Sequence, residues 1–255
     1  MKTCGQENTG PLSQRSWRSL GFALVREKME RIDMPEQLEQ IEAVIFDLDG
    51  SLVDSMWIWR DIDIEFLAAR GLELPDDFQR AIEGMSFTET AMYFKEKFCL
   101  PLTVEQIKRA WIEMSIDKYR REVPAKRGAK EFLSYARDRG MLCGIATSNS
   151  WEMVDAVLDS LGMRPFFQVV TTACQVKAGK PSPDIYLKVA EDLHVSPGQC
   201  LVFEDVPAGI LAGKRAGMTV CAVEDAFSRH MEEEKRGLAD YFISDYFEIM
   251  DGGRL

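Results

Sequence analysis

The sequence predicts an α/β fold, a parallel sheet with helices on both faces, interrupted by an inserted helical subdomain. Three observations predict it. Short apolar strands alternate with helices from residue 129 to residue 224. One more apolar strand, "EAVIFDL" (42–48), stands alone far upstream. Between them, residues 55–123 read as helix throughout. Alternation of this kind belongs to strands joined by crossover helices. A helical block that breaks it is an insertion after the first strand.

Residues 1–40 start polar and Gly-containing, and are expected to be an N-terminal extension. Within them "WRSLGFALVREKMERI" (17–32) sets Val25, Met29 and Ile32 on one face of a weakly amphipathic helix. In the helical block Ile62, Phe66 and Ala69 share a face, and "TETAMYFKEKF" (88–98) and "VEQIKRAWIEMSIDKYRR" (104–121) repeat the period. After Pro124, helix "AKEFLSYARDRG" (129–140) leads to strand "LCGIAT" (142–147), and helix "WEMVDAVLDSLG" (151–162) to "FQVVTT" (167–172). "PDIYLKVAEDLHV" (183–195) leads to "CLVFED" (200–205), and "PAGILAGKRAG" (207–217) to "TVCAVE" (219–224). Gly140, Gly162 and Gly217 stand where left-handed caps stop helices. The α/β core is therefore expected over 41–54 and 124–255, with the helical subdomain over 55–123.

Of the 255 residues, 46% are hydrophobic, enough for a packed core. Asp and Glu number 42 against 31 Lys and Arg, a net charge of −11. Such a surface repels phosphate backbones and anionic lipid, so neither nucleic acid nor a membrane is expected as partner. No apolar run approaches the ~18 residues of a membrane span. The six cysteines (Cys4, Cys99, Cys143, Cys174, Cys200, Cys221) form no metal knuckle or redox pair. A reducing, cytoplasmic setting is the simpler expectation.

Parallel sheets bind ligands at the carboxyl ends of their strands. The first strand ends in Asp47 and Asp49, the second in Thr147, Ser148 and Asn149. Lys177 and Lys180 come after the third, and the fourth ends in Glu204 and Asp205. Two carboxylates ~4 Å apart repel by ~1 kcal/mol in water and ~4 kcal/mol near a protein surface. A divalent cation relieves that cost near neutral pH. The donors are hard oxygens, and His194 and His230 lie outside these motifs, which favours Mg²⁺ over Zn²⁺. Thr147, Ser148 and Asn149 precede a helix, Asn149 and Glu152 have capping-box spacing, and a helix start cradles anions. With Lys180 added, the set describes a phosphoryl group held beside a carboxylate.

"DLDGSLVDS", "ATSN", "GKPSPD" and "VFEDVPAG" resemble the four ordered motifs of the haloacid dehalogenase-like hydrolases. The resemblance runs from about 42 to 250. It is strongest to the helical-cap branch that contains phosphoglycolate-type phosphatases and β-phosphoglucomutase. It implies a Rossmann-like core with residues 55–123 as the cap. Asp47 would be the nucleophile that forms an aspartyl-phosphate, and Asp49 the general acid/base. Mg²⁺ would be held by the Asp47 carboxylate, the Asp49 backbone carbonyl and Asp205, with Glu204 close by. Thr147 and Lys180 would bind phosphoryl oxygens, and Ser148, Asn149, Gly84 and Ser86 the substrate. Gly50 would permit the tight turn that aims Asp49 inward, and Asp54 would make structural hydrogen bonds. Ser51 stands where the family usually has Thr, which keeps the hydroxyl. Dehalogenases of the family lack the second acid, so Asp49 argues for phosphoryl transfer.

The resemblance implies a Mg²⁺-dependent phosphatase acting on a small phosphorylated metabolite. A mutase of the β-phosphoglucomutase type is the alternative, and a non-catalytic metal- or partner-binding relative is a second. The mutase flanks its cap loop with a basic residue, where "EGMSF" (83–87) has Glu83 and Phe87. It also has a histidine where this chain has Trp59.

Overall fold

The structure, a computed structural model, describes residues 40–75, 78, 82, 85 and 87–250. The helix expected over 17–32, and Glu83, Gly84 and Ser86 of the loop, lie outside the described residues. The described residues all belong to one compact unit, Met34–Leu255.

The core is a six-stranded sheet in the order β3-β2-β1-β4-β5-β6, with every neighbouring pair parallel. The strands are β1 (Ala43–Phe46), β2 (Leu142–Thr147), β3 (Val169–Thr172), β4 (Cys200–Glu204), β5 (Thr219–Val223) and β6 (Tyr241–Ile243). β1 is apolar at all four positions because both of its faces are covered. Val44 and Phe46 enter one cluster, with Phe132, Val157 and Phe203. Ala43 and Ile45 enter the other, with Tyr186, Val189 and Ile210. Alternate side chains of a strand point to opposite faces, so these two clusters are the two sides of the sheet. Phe46 anchors the first by stacking on Phe203, with ring centres 5.1 Å apart.

Over 55–123 the described residues contain helices and no regular strand: α1 (Ile58–Ala68), α2 (Phe87–Lys97) and α3 (Val104–Arg121). They bury an aromatic centre in which Phe94 lies 4.7 Å from both Phe78 and Trp111, ring centre to ring centre. α3 begins in a full capping box, Thr103 with Gln106, and this fixes where its first turn starts.

The crossover helices are α4 (Ala129–Asp138), α5 (Trp151–Leu161), α6 (Asp184–Leu193) and α7 (Pro207–Arg215). Gly140, Gly162 and Gly217 have φ of +75°, +64° and +78°, as expected of left-handed caps. α6 instead stops at His194, a non-glycine residue with φ +59°. Two short helices, α8 (Glu232–Leu238) and α9 (Phe247–Met250), flank β6.

Candidate active site

The strand order reverses between β1 and β4, the switch point at which a doubly wound sheet opens a crevice. Asp47 leaves β1 there, its amide bonded to the Phe203 carbonyl of β4 at 2.9 Å. Asp205 leaves β4 on the other side. Lys180 reaches in from the loop before α6. Its Nζ lies 2.5 Å from Asp47 Oδ1, 2.7 Å from Glu204 Oε1 and 3.0 Å from the Ala146 carbonyl. One cation therefore ties β1, β2 and β4 together at their carboxyl ends.

Glu204 is fully buried. Besides Lys180, it accepts from the Tyr186 hydroxyl at 2.6 Å and, through Oε2, from the Asp205 amide at 3.1 Å. It fits only because position 209 is glycine, where an added Cβ would stand 1.8 Å from Glu204 Oε1. Asp205 is also buried, and Ser51 donates to its Oδ1 at 3.3 Å. Its Oδ2 is buried with no hydrogen-bond partner. Gly50, at φ +79°, lets the chain pass that carboxylate, since a Cβ there would lie 2.3 Å from Asp205 Oδ2.

Asp47, Glu204 and Asp205 each offer a carboxylate oxygen, and these oxygens lie within 4.8 Å of one another. Burial holds the Asp47 carboxyl well above its usual range, Lys180 opposes this, and Glu204 and Asp205 add to it. Asp205 is pushed up to about 8 by burial, then by Glu204 and Asp225. For Lys180, burial is the largest influence and works to lower it, but Asp47 and Glu204 together raise it. An orphaned buried carboxylate oxygen, in a cluster of three acids held by one lysine, fits a divalent cation with oxygen ligands.

The titration of Asp205 gives this cluster a pH signature. Unfolded, the group is an ordinary carboxylate near ~3.9. Folded, it keeps its proton up to about 8. Its stabilising contribution is thus complete below about pH 4 and is lost as pH rises through about 8. Asp47 is shifted in the same direction. The melting temperature of metal-free protein is expected to fall between about pH 5 and pH 8, and the rise in Tm on adding Mg²⁺ to grow over the same interval. Differential scanning fluorimetry checks both trends, and an equal Mg²⁺ effect at the two pH values would count against a cation among these acids.

The Asp49 carboxylate is not one of those three and has partners of its own. Oδ1 accepts from Ser55 Oγ at 2.6 Å and from the Tyr119 hydroxyl, and Oδ2 accepts from Asn149 Nδ2 at 3.1 Å. Asn149 Nδ2 also donates to the Tyr119 hydroxyl at 2.9 Å. Tyr119 is held well above the usual phenol range by burial first and then by the Asp49 charge, so it stays a donor. Thr147 is buried, and its Oγ1 accepts the Asn149 amide at 3.0 Å.

One expectation, the cap at Asn149, is corrected. The N-cap of α5 is Ser150, not Asn149, because the Asn149 side chain is committed to Asp49 and Tyr119. Lys177 is exposed, while Lys180 alone of the two reaches the acids. Asp54 bonds through its backbone, its amide to the Pro124 carbonyl and its carbonyl to Trp57 Nε1, while the residue itself is exposed. Ser148 is exposed, and Gly84 and Ser86 lie outside the described residues. Sequence reasoning misses Tyr119, Ser55 and Tyr186. Tyr186 has one signal, since it comes just after "KPSPD" within the first turn of a helix that must pack beside the site.

Among the described residues no helix is long and apolar enough to cross a membrane. A profile of the family described as haloacid dehalogenase-like hydrolase matches residues 44–223. Hexitol phosphatase B of Escherichia coli (strain K12) is 30% identical over 216 residues, spanning 82% of this chain and 95% of its own. The phosphorylated carbohydrates phosphatase of Thermotoga maritima is 30% identical over 178 residues, 70% of this chain and 82% of its own. CbbY from Rhodobacter sphaeroides, solved in complex with phosphate, superposes with a TM-score of 0.68 at 26% identity, covering 82% of this chain and 96% of its own.

Proposed function

The chain belongs to the haloacid dehalogenase-like hydrolases, and on that premise we propose that it is a phosphatase that hydrolyses a small phosphorylated carbohydrate through an aspartyl-phosphate. The observation that carries the reading is the buried Asp47 carboxylate at the switch point, flanked by Lys180 and by two further acids.

In this reading an Asp47 carboxylate oxygen attacks phosphorus as the bond to the leaving oxygen breaks. Asp49 protonates that oxygen. It then takes a proton from the water that attacks the aspartyl-phosphate, releasing phosphate and restoring Asp47. Lys180 and Thr147 hold phosphoryl oxygens as charge develops on them. The Asp47 and Asp205 carboxylates and the Asp49 carbonyl would hold Mg²⁺, with Glu204 alongside. When bound, Mg²⁺ would supply charge neutralisation at the phosphoryl group. Glu204 keeps Lys180 and Asp205 in place through its contacts with the Lys180 ammonium and the Asp205 amide. Residues 55–123 are assigned as the cap and 41–54 with 124–255 as the core, and Ser148 and Asn149, with Gly84 and Ser86 by the family resemblance, are assigned to substrate binding.

The relatives that support the substrate class act, by their names, on hexitol phosphates and phosphorylated carbohydrates. The test is phosphate release from p-nitrophenyl phosphate and from a panel of sugar phosphates, with Mg²⁺ and with EDTA. Release that needs Mg²⁺ and extends to a sugar phosphate is the expected result. No release from any member would reject the reading. Efficient glucose 6-phosphate formation from β-glucose 1-phosphate with a bisphosphate primer would replace it with the mutase.

A further inference from the structure

The Asp49 carboxylate is not symmetrically engaged. A carboxylate oxygen has about two lone-pair directions for hydrogen bonds. Oδ1 has two donors, Ser55 and Tyr119, whereas Oδ2 has one, Asn149. The arrangement closes on itself, because one Asn149 amide group spans Asp49 Oδ2 and the Tyr119 oxygen. The Asn149 Oδ1 in turn accepts the Ser150 amide at 2.8 Å, which fixes which way the amide faces. Tyr119 is fully buried and comes from α3, 70 residues away in sequence. Ser55 is fully buried as well.

We propose that Tyr119 and Ser55 are positioning residues that saturate Asp49 Oδ1, so that proton exchange with the substrate runs through Oδ2. This rests on the phosphatase reading. In the first step the Oδ2–H bond breaks as a bond from hydrogen to the leaving oxygen forms, and that oxygen takes the electron pair of its broken bond to phosphorus. In the second, a proton of the attacking water passes to Oδ2 as the water oxygen bonds phosphorus and the Asp47 oxygen departs. A carboxylate without its two Oδ1 donors is free to rotate, and either oxygen then meets the leaving group with poor alignment. The loss falls on proton transfer and not on phosphate binding, which uses other groups.

The test is a leaving-group comparison. Phenyl phosphate needs its leaving oxygen protonated far more than p-nitrophenyl phosphate does. Positioned proton transfer contributes ~10²–10⁴-fold, so its partial misalignment in Tyr119→Phe is expected to cut kcat/KM for phenyl phosphate by about tenfold. For p-nitrophenyl phosphate the loss in kcat/KM, which reports only the steps up to departure of the leaving group, should stay under about twofold. Ser55→Ala, which removes the other Oδ1 donor, should show the same selectivity and stands in should Tyr119→Phe fail to fold. Equal losses on the two substrates, or no loss on either, would overturn the inference alone. No turnover of either substrate by wild-type protein would overturn the phosphatase reading, and the inference with it.

Discussion

Asp47→Asn is expected to lower phosphate release by at least about 10³-fold, the scale on which removal of a covalent nucleophile acts. The amide occupies the same volume and keeps an oxygen for Lys180 Nζ, which in the wild type sits 2.5 Å from Oδ1. It has no anionic oxygen to attack phosphorus. The fold should survive, because the change removes one of three mutually repelling buried acids. The metal-free variant is expected to melt no lower than wild type, and its Mg²⁺-induced rise in Tm to shrink. Steady-state kinetics and a thermal melt on one preparation separate chemistry from folding. A variant that keeps wild-type turnover would remove Asp47 from the reaction.

Gly209→Ala is expected to do damage of another kind. The new Cβ would stand 1.8 Å from Glu204 Oε1 and 1.9 Å from its Cδ, a clash no rotamer of alanine relieves. Either the start of α7 shifts or the Glu204 carboxylate leaves its place. If it leaves, Lys180 loses a 2.7 Å partner, Tyr186 loses its acceptor and the Asp205 amide loses its own. Breaking a buried ion pair costs about 3–5 kcal/mol. A displaced Lys180 should also reduce turnover by about 10²-fold, since misplacement by ~1 Å has that effect. Urea denaturation of Gly209→Ala beside Gly237→Ala is the controlled comparison, because nothing lies within 4 Å of a Cβ at Gly237. The control should be neutral or slightly stabilising, as Gly to Ala within a helix is.

Those two residues also show what the sequence can and cannot convey. The apolar run of β1 and its closing acids are local, and a strand buried on both faces has to be apolar throughout. For the same reason β2, β4 and β5 lie within a residue or so of where "LCGIAT", "CLVFED" and "TVCAVE" place them. Nothing in the sequence marks β6. Its three residues, Tyr241–Ile243, are too few to show a period, and they become a strand only because β5 offers an edge. The acids are legible because each stands at the end of a strand or within three residues beyond it. The support beneath them is not. Tyr119 sits on a helix whose pattern marks it as one more apolar position, and only tertiary packing brings its hydroxyl to Asp49. The spacing of Asn149 to Glu152 suggests a cap, a local rule that the competing partners Asp49 and Tyr119 override. Gly209 stands in "VFEDVPAG", but its reason, room for a neighbouring strand's carboxylate, is a fact of three dimensions.

The most direct measurement is to find the phosphoryl group on the protein. Enzyme mixed with p-nitrophenyl phosphate and Mg²⁺, quenched in acid within a turnover and digested, should carry phosphate on the peptide that contains Asp47. An acyl phosphate there survives acid and is lost in alkali, and Asp47→Asn should carry none. Phosphate found on a different residue, or brisk hydrolysis by Asp47→Asn, would contradict the account.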